Sequence, residues 1–98
     1  MKTEHEWAEE LLAAGRRLYA KDLATSTDGS MSVKLDDGTV LCTASGTCKG
    51  LMTEESLCLI DQNGRLLRAA AGYKPTAAVK THLLIYKTRP DVRCVIHA

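Results

Sequence analysis

The chain has 98 residues, room for one small domain around a single core. Hydrophobic residues make up 45% and charged residues 26%, an ordinary globular balance that excludes disorder as the whole description. Thirteen Lys plus Arg against 12 Asp plus Glu leave no field of either sign, and no basic run is interleaved with aromatics, so neither a nucleic acid nor a charged membrane surface is the expected partner. The four cysteines, Cys42, Cys48, Cys58 and Cys94, form no C-x-x-C pair, which argues against a zinc knuckle or a thioredoxin-like redox motif. The segment from Met1 to Glu10 is charged rather than apolar, unlike a signal peptide, and no run approaches the roughly 20 apolar residues of a membrane span. The expected location is therefore cytoplasmic, with the cysteines reduced and packed as small hydrophobes.

The first element is a helix. Thr3 and Glu6 have capping-box spacing, and Trp7, Leu11, Ala14 and Leu18 recur at helical intervals up to about Lys21. A hydroxyl-rich turn, Thr25-Ser26-Thr27-Asp28-Gly29-Ser30, separates it from a strand at Met31 to Leu35. Asp36-Asp37-Gly38 reads as a hairpin turn, Thr39 to Thr43 as the returning strand, and Ser45 to Gly50 as a second polar loop. Thr53 to Ser56 reads as a single capped helical turn, and Leu57 to Ile60 with Leu66 to Ala70 as a second hairpin about Asn63-Gly64. Pro75 and Thr76 open a second helix with Thr76 as its N-cap, and Val79, Leu83 and Tyr86 as its apolar stripe beside His82. Arg89-Pro90-Asp91 ends that helix, and Cys94-Val95-Ile96 is a short apolar strand leading to His97 and Ala98. This order predicts an α/β layer structure, a mostly antiparallel sheet with helices packed on it.

Three loops combine glycine or proline with hydroxyls: Asp28-Gly29-Ser30, Thr43-Ala44-Ser45-Gly46 and Lys74-Pro75-Thr76-Ala77. Glycine lets the backbone approach a ligand, while hydroxyls and free N–H groups bind phosphate oxygens. Taken singly, each loop reads first as a turn plus a helix cap, and none matches a Walker A or dinucleotide fingerprint. A lone terminal His97 falls short of the three or four ligands of a zinc site, and His82 reads as an interfacial core residue. On residue chemistry alone the function stays undetermined.

Several segments together resemble the class II aldolase/adducin family, from about Glu9 to Ala98. Asp28-Gly29-Ser30-Met31-Ser32-Val33-Lys34 is similar to that family's Gly-Asn-hydrophobic-Ser-Val-Arg segment, and Leu41 to Gly46 to its Leu-Ile-Thr-Pro-Ser/Thr-Gly loop. Met52-Thr53-Glu54-Glu55 resembles the Leu-Thr-x-x stretch that follows. Lys74-Pro75-Thr76-Ala77-Ala78, His82 to Tyr86 and Arg89 to Val92 resemble the Pro-Ser-Ser-Glu…His…Tyr…Arg-Pro-Asp run, and Cys94 to His97 the strand entering a His-x-His metal motif.

The resemblance implies an α/β/α sandwich in which residues 1–98 are the N-terminal part of a single domain. It places Ser30, Ser45, Gly46, Thr76 and Ala77 around the phosphate of a small phosphorylated sugar or sugar acid, and makes His97 the first ligand of a catalytic Zn2+. In that family the metal polarises the substrate carbonyl and hydroxyl during aldol cleavage, decarboxylation or epimerisation, and a tetramer-like homo-oligomer is implied. The departures are Ser30 for an Asn, Ala77 for a phosphate-binding Ser, and Ala78 for an acidic residue of the aldolases. The second histidine of His-x-His falls one position past Ala98, so this chain alone is expected to be inactive, with weak or absent zinc binding. The alternatives are an adducin-like scaffold without catalysis and an α/β domain without a ligand.

Overall fold

The computed structural model describes residues 2–98. Its elements in chain order are α1 (Glu4–Ala20), β1 (Ser30–Lys34), β2 (Val40–Thr43), a 3-10 turn (Glu54–Ser56), β3 (Leu57–Ile60), β4 (Leu66–Arg68), α2 (Val79–Thr88) and β5 (Cys94–His97). The strands form one sheet in the order β4-β3-β2-β1-β5, and every neighbouring pair is antiparallel.

The two faces follow from the period of 2 along each strand. Met31, Val33, Leu41 and Leu57 point to one face, where they meet Ala8, Leu11 and Leu12 of α1. Val40, Cys42, Cys58 and Ile60 point to the other, where Tyr86, Val79 and Leu83 of α2 pack. Each fully buried Leu, Val or Met is worth roughly 1.5–3 kcal/mol, so the sheet is held by its two helix-facing clusters. Ser30, Ser32 and Lys34 of β1 lie on the α2 side by the same alternation, and both serines are buried.

The capping box of α1 forms as the sequence predicts: Glu6 N–H donates to Thr3 Oγ1 and Thr3 N–H to the Glu6 carboxylate. The second helix starts later than predicted. Thr76 N–H donates to the Thr43 carbonyl, and Pro75 bridges Ala44, so this stretch is spent as a partner for the end of β2. Residues 77 and 78 then turn, and Ala78, without a side-chain cap, takes the N-cap position assigned to Thr76. β5 pairs with β1 alone, which leaves Cys94 and Ile96 exposed along the sheet edge.

Candidate functional site

The predicted residues gather at one end of the sheet, where β1 begins and β2 ends. Ser45 N–H donates to the Lys74 carbonyl at 2.7 Å and Thr76 N–H to the Thr43 carbonyl at 2.9 Å, which lays residues 43–46 against residues 74–77. Met31 N–H donates to Thr43 Oγ1 at 3.2 Å and ties the start of β1 to the same corner. Ser45, Gly46 and Ala77 are exposed, Thr76 is half-buried, and Ser30 is 1% exposed. Gly46 has φ +74°, a left-handed conformation that favours glycine, with open space where a side chain would stand.

The backbone donors divide in a way the sequence does not show. The amides of Ser45 and Thr76 are used within the protein, whereas those of Gly46, Thr47 and Ala77 have no acceptor among the described residues. Gly46, Thr47 and Ala77 therefore offer N–H groups, and Ser45 and Thr76 offer hydroxyls. Thr76 Oγ1 accepts from Ala78 N–H at 3.3 Å, which leaves its own proton available. Beneath the loop, the buried Lys49 ammonium donates to the Thr47 carbonyl at 2.7 Å, and burial lowers its pKa.

Behind Ser30 lies a buried polar chain. His82 Nε2 is 2.7 Å from Ser30 Oγ, His82 Nδ1 is 2.6 Å from Ser32 Oγ, and Ser32 Oγ is 2.7 Å from the Tyr86 hydroxyl. Burial, and next the charge of His97, hold the His82 imidazole below its usual value of 6.5, so the ring is neutral at pH 7. Burial pushes the Tyr86 phenol up to about 12. His82 and Tyr86 lie at i and i+4 of α2 and face Ser30 and Ser32 at i and i+2 of β1, a spacing that could have exposed the set in the sequence. The core-histidine reading of His82 holds for its burial and misses its link to Ser30.

His97 is exposed and stands opposite Ser30 in the β1–β5 register. Gly29, at φ +85°, lets the strands meet there, since a Cβ on it would lie 2.8 Å from the His97 carbonyl oxygen. As a metal ligand His97 is alone. Both ring nitrogens of His82 are engaged, and no third donor joins them in a cluster among the described residues. The residues present fit one ligand of a zinc centre and not the centre itself. A separate group, His5, Glu9 and Glu54, brings its ligand atoms within 4.8 Å of one another where α1 meets the 3-10 turn, with all three side chains exposed. All four cysteines are free thiols, and burial raises the thiols of Cys58 and Cys94 and pushes that of Cys42 up to about 12. A cleft of about 820 Å³ between Lys34, Tyr86 and Arg93 contains none of the predicted site residues.

The arrangement gathers backbone N–H groups and hydroxyls of two loops at one end of the sheet. Residues 9–98 match the family described as Class II Aldolase and Adducin N-terminal domain, and the chain belongs to that family. It is 31% identical over 97 residues to a 3-oxo-tetronate 4-phosphate decarboxylase of Pectobacterium atrosepticum, covering 99% of this chain and 43% of the relative. It is 36% identical over 93 residues to a methylthioribulose-1-phosphate dehydratase of Granulibacter bethesdensis, covering 94% of this chain and 42% of the relative. A solved L-fuculose 1-phosphate aldolase superposes with a TM-score of 0.87 at 28% identity, over 100% of this chain and 45% of that one. The chain thus spans less than half the length of these relatives, and within that span the layered antiparallel fold is the family's. In this fold no helix is long and apolar enough to cross a membrane.

Proposed function

We propose that this chain carries the phosphate-binding half of a lyase-type site for a small phosphorylated sugar or sugar acid, as the N-terminal part of a single domain. The observation that supports this best is the corner where Gly46, Thr47 and Ala77 N–H groups remain free beside the Ser45 and Thr76 hydroxyls. Donors so placed, with glycine allowing close approach, suit the three oxygens of a phosphate monoester. The relatives named for a decarboxylase, a dehydratase and an aldolase share a phosphorylated sugar or sugar acid in their names, which supports the same ligand class. Ser30 and Ala77 are part of this reading, Ser30 through its hydroxyl and Ala77 through its backbone.

His97 is proposed as one ligand of a Zn2+ centre whose other donors are not grouped around it here. One imidazole does not offset the loss of the ion's water, so this chain alone binds zinc weakly and His97→Ala changes that binding little. A cytoplasmic homo-oligomer is the setting the family implies. A second reading, a binding module without catalysis, is favoured by Ala78, which puts a methyl group at the start of α2 where an acid–base residue would be needed.

Hydrogen exchange with and without inorganic phosphate tests the ligand assignment. The expected result is slower exchange at Gly46, Thr47 and Ala77. Protection confined to other segments, or none at millimolar phosphate, would mean that these loops are turns and caps only.

A further inference from the structure

The chain of polar contacts behind the loops has a direction, and it decides what Ser30 can do. Tyr86, Ser32, neutral His82 and Ser30 hold four hydrogen-bonding protons but make three contacts with one another. One proton is left over, on Ser30 if the ring carries Nε2–H and on Ser32 or Tyr86 if it carries Nδ1–H, and neither terminal hydroxyl has a second side-chain or backbone acceptor among the described residues. We infer that the chain runs from Tyr86 through Ser32 and His82 to Ser30, so that Ser30 presents its O–H to an anionic oxygen of the ligand. His82 is then a positioning residue in the Nε2–H form: Nδ1 accepts from Ser32, and Nε2–H donates to Ser30 Oγ.

Two features favour this direction. A proton left on Ser32, which is 0% exposed, would be buried without an acceptor among the described residues. The Lys34 ammonium lies 5.6 Å from the centre of the Tyr86 ring, and its charge opposes a phenolic proton turned toward it. The Ser30 end instead borders Gly29 and His97, and the neighbouring Met31 N–H ties it to Thr43 Oγ1 at the loop corner. A buried hydroxyl proton without an acceptor is costly, and a ligand oxygen relieves that cost on binding. A serine in place of an amide can in this way still act as a donor, since the ring behind it claims its lone pair.

This inference rests on the phosphate reading above, but its first test does not need a ligand. Nitrogen-15 NMR of the 98-residue chain reports which His82 ring nitrogen bears the proton. A protonated Nε2 with a bare Nδ1 is expected; a protonated Nδ1 overturns the proposed direction. Titration with inorganic phosphate is the second arm. Ser30→Ala should weaken phosphate roughly ten- to a hundredfold, the worth of one hydrogen bond to a charged group. Ser32→Ala, which removes the donor to Nδ1, should bring up an Nδ1–H population and weaken phosphate although Ser32 touches no ligand. If Ser30→Ala leaves phosphate affinity unchanged while the wild-type loops bind it, the role of Ser30 is wrong. If wild type shows the Nε2–H form and no loop amide responds to phosphate, the proposed function fails while the direction of the chain stands. Should Ser32→Ala not fold, the wild-type tautomer still decides the direction.

Discussion

Ser32→Ala should be among the most destabilising single hydroxyl deletions in this protein. Ser32 is 0% exposed and meets both His82 Nδ1 at 2.6 Å and the Tyr86 hydroxyl at 2.7 Å. Alanine leaves both of those buried atoms without a partner, and each orphan costs about 1–3 kcal/mol. The expected loss is therefore about 2–6 kcal/mol, a large part of the roughly 5–15 kcal/mol by which a domain of this kind is stable. Tyr86→Phe removes the phenolic orphan, so in the Ser32→Ala background it should cost less than it does alone, by about 1 kcal/mol or more. Urea unfolding of the four proteins, followed by far-UV circular dichroism, gives the cycle directly. A loss below about 1 kcal/mol for Ser32→Ala, or strict additivity with Tyr86→Phe, would refute the view of this chain as a coupled buried network.

Other perturbations test separate parts of the structure. Because burial lowers the His82 pKa in the folded state, the unfolded chain takes up its proton first as the pH falls, so stability conferred by neutral His82 is complete above about 6.5 and declines below it. The His82→Gln variant should flatten that decline in urea midpoints measured from pH 7.5 to 5, and an unchanged slope would assign it to other groups. Thr3→Ala should cost about 1 kcal/mol in thermal or urea unfolding by removing half of the α1 capping box. The exposed edge of β5, with Ile96 47% exposed, is a template for strand pairing. Sedimentation equilibrium is expected to show concentration-dependent self-association that Ile96→Lys reduces, and a monomer at all concentrations would contradict this.

Local chemistry made much of the fold legible. The Thr3–Glu6 box, the helical stripe from Trp7 to Leu18 and the two hairpins fall where their spacing puts them. The start of α2 was not legible, because the fate of Thr76 N–H depends on a β2 carbonyl more than thirty positions away. The site was half visible. Glycine and hydroxyl loops mark Ser45, Gly46 and Thr76, but which amides stay free is decided by cross-loop hydrogen bonds that no local pattern encodes. Ser32, Tyr86 and Lys49 escaped notice because each looks like ordinary strand, stripe or loop chemistry until the sheet and α2 are stacked. The family resemblance drawn from short motifs bridged that gap, and the match over residues 9–98 bears it out.

The central claim is that the loop corner recognises a phosphate group, and one comparison tests it most directly. Amide spectra of the nitrogen-15-labelled chain would be recorded during titrations with inorganic phosphate, L-fuculose 1-phosphate and unphosphorylated L-fuculose. The account predicts that both phosphate-bearing ligands shift Gly46, Thr47 and Ala77 with saturable curves, and that the free sugar leaves them in place. Shifts of those amides by the free sugar as large as by its phosphate, or no shift with any of the three at millimolar concentration, would contradict it.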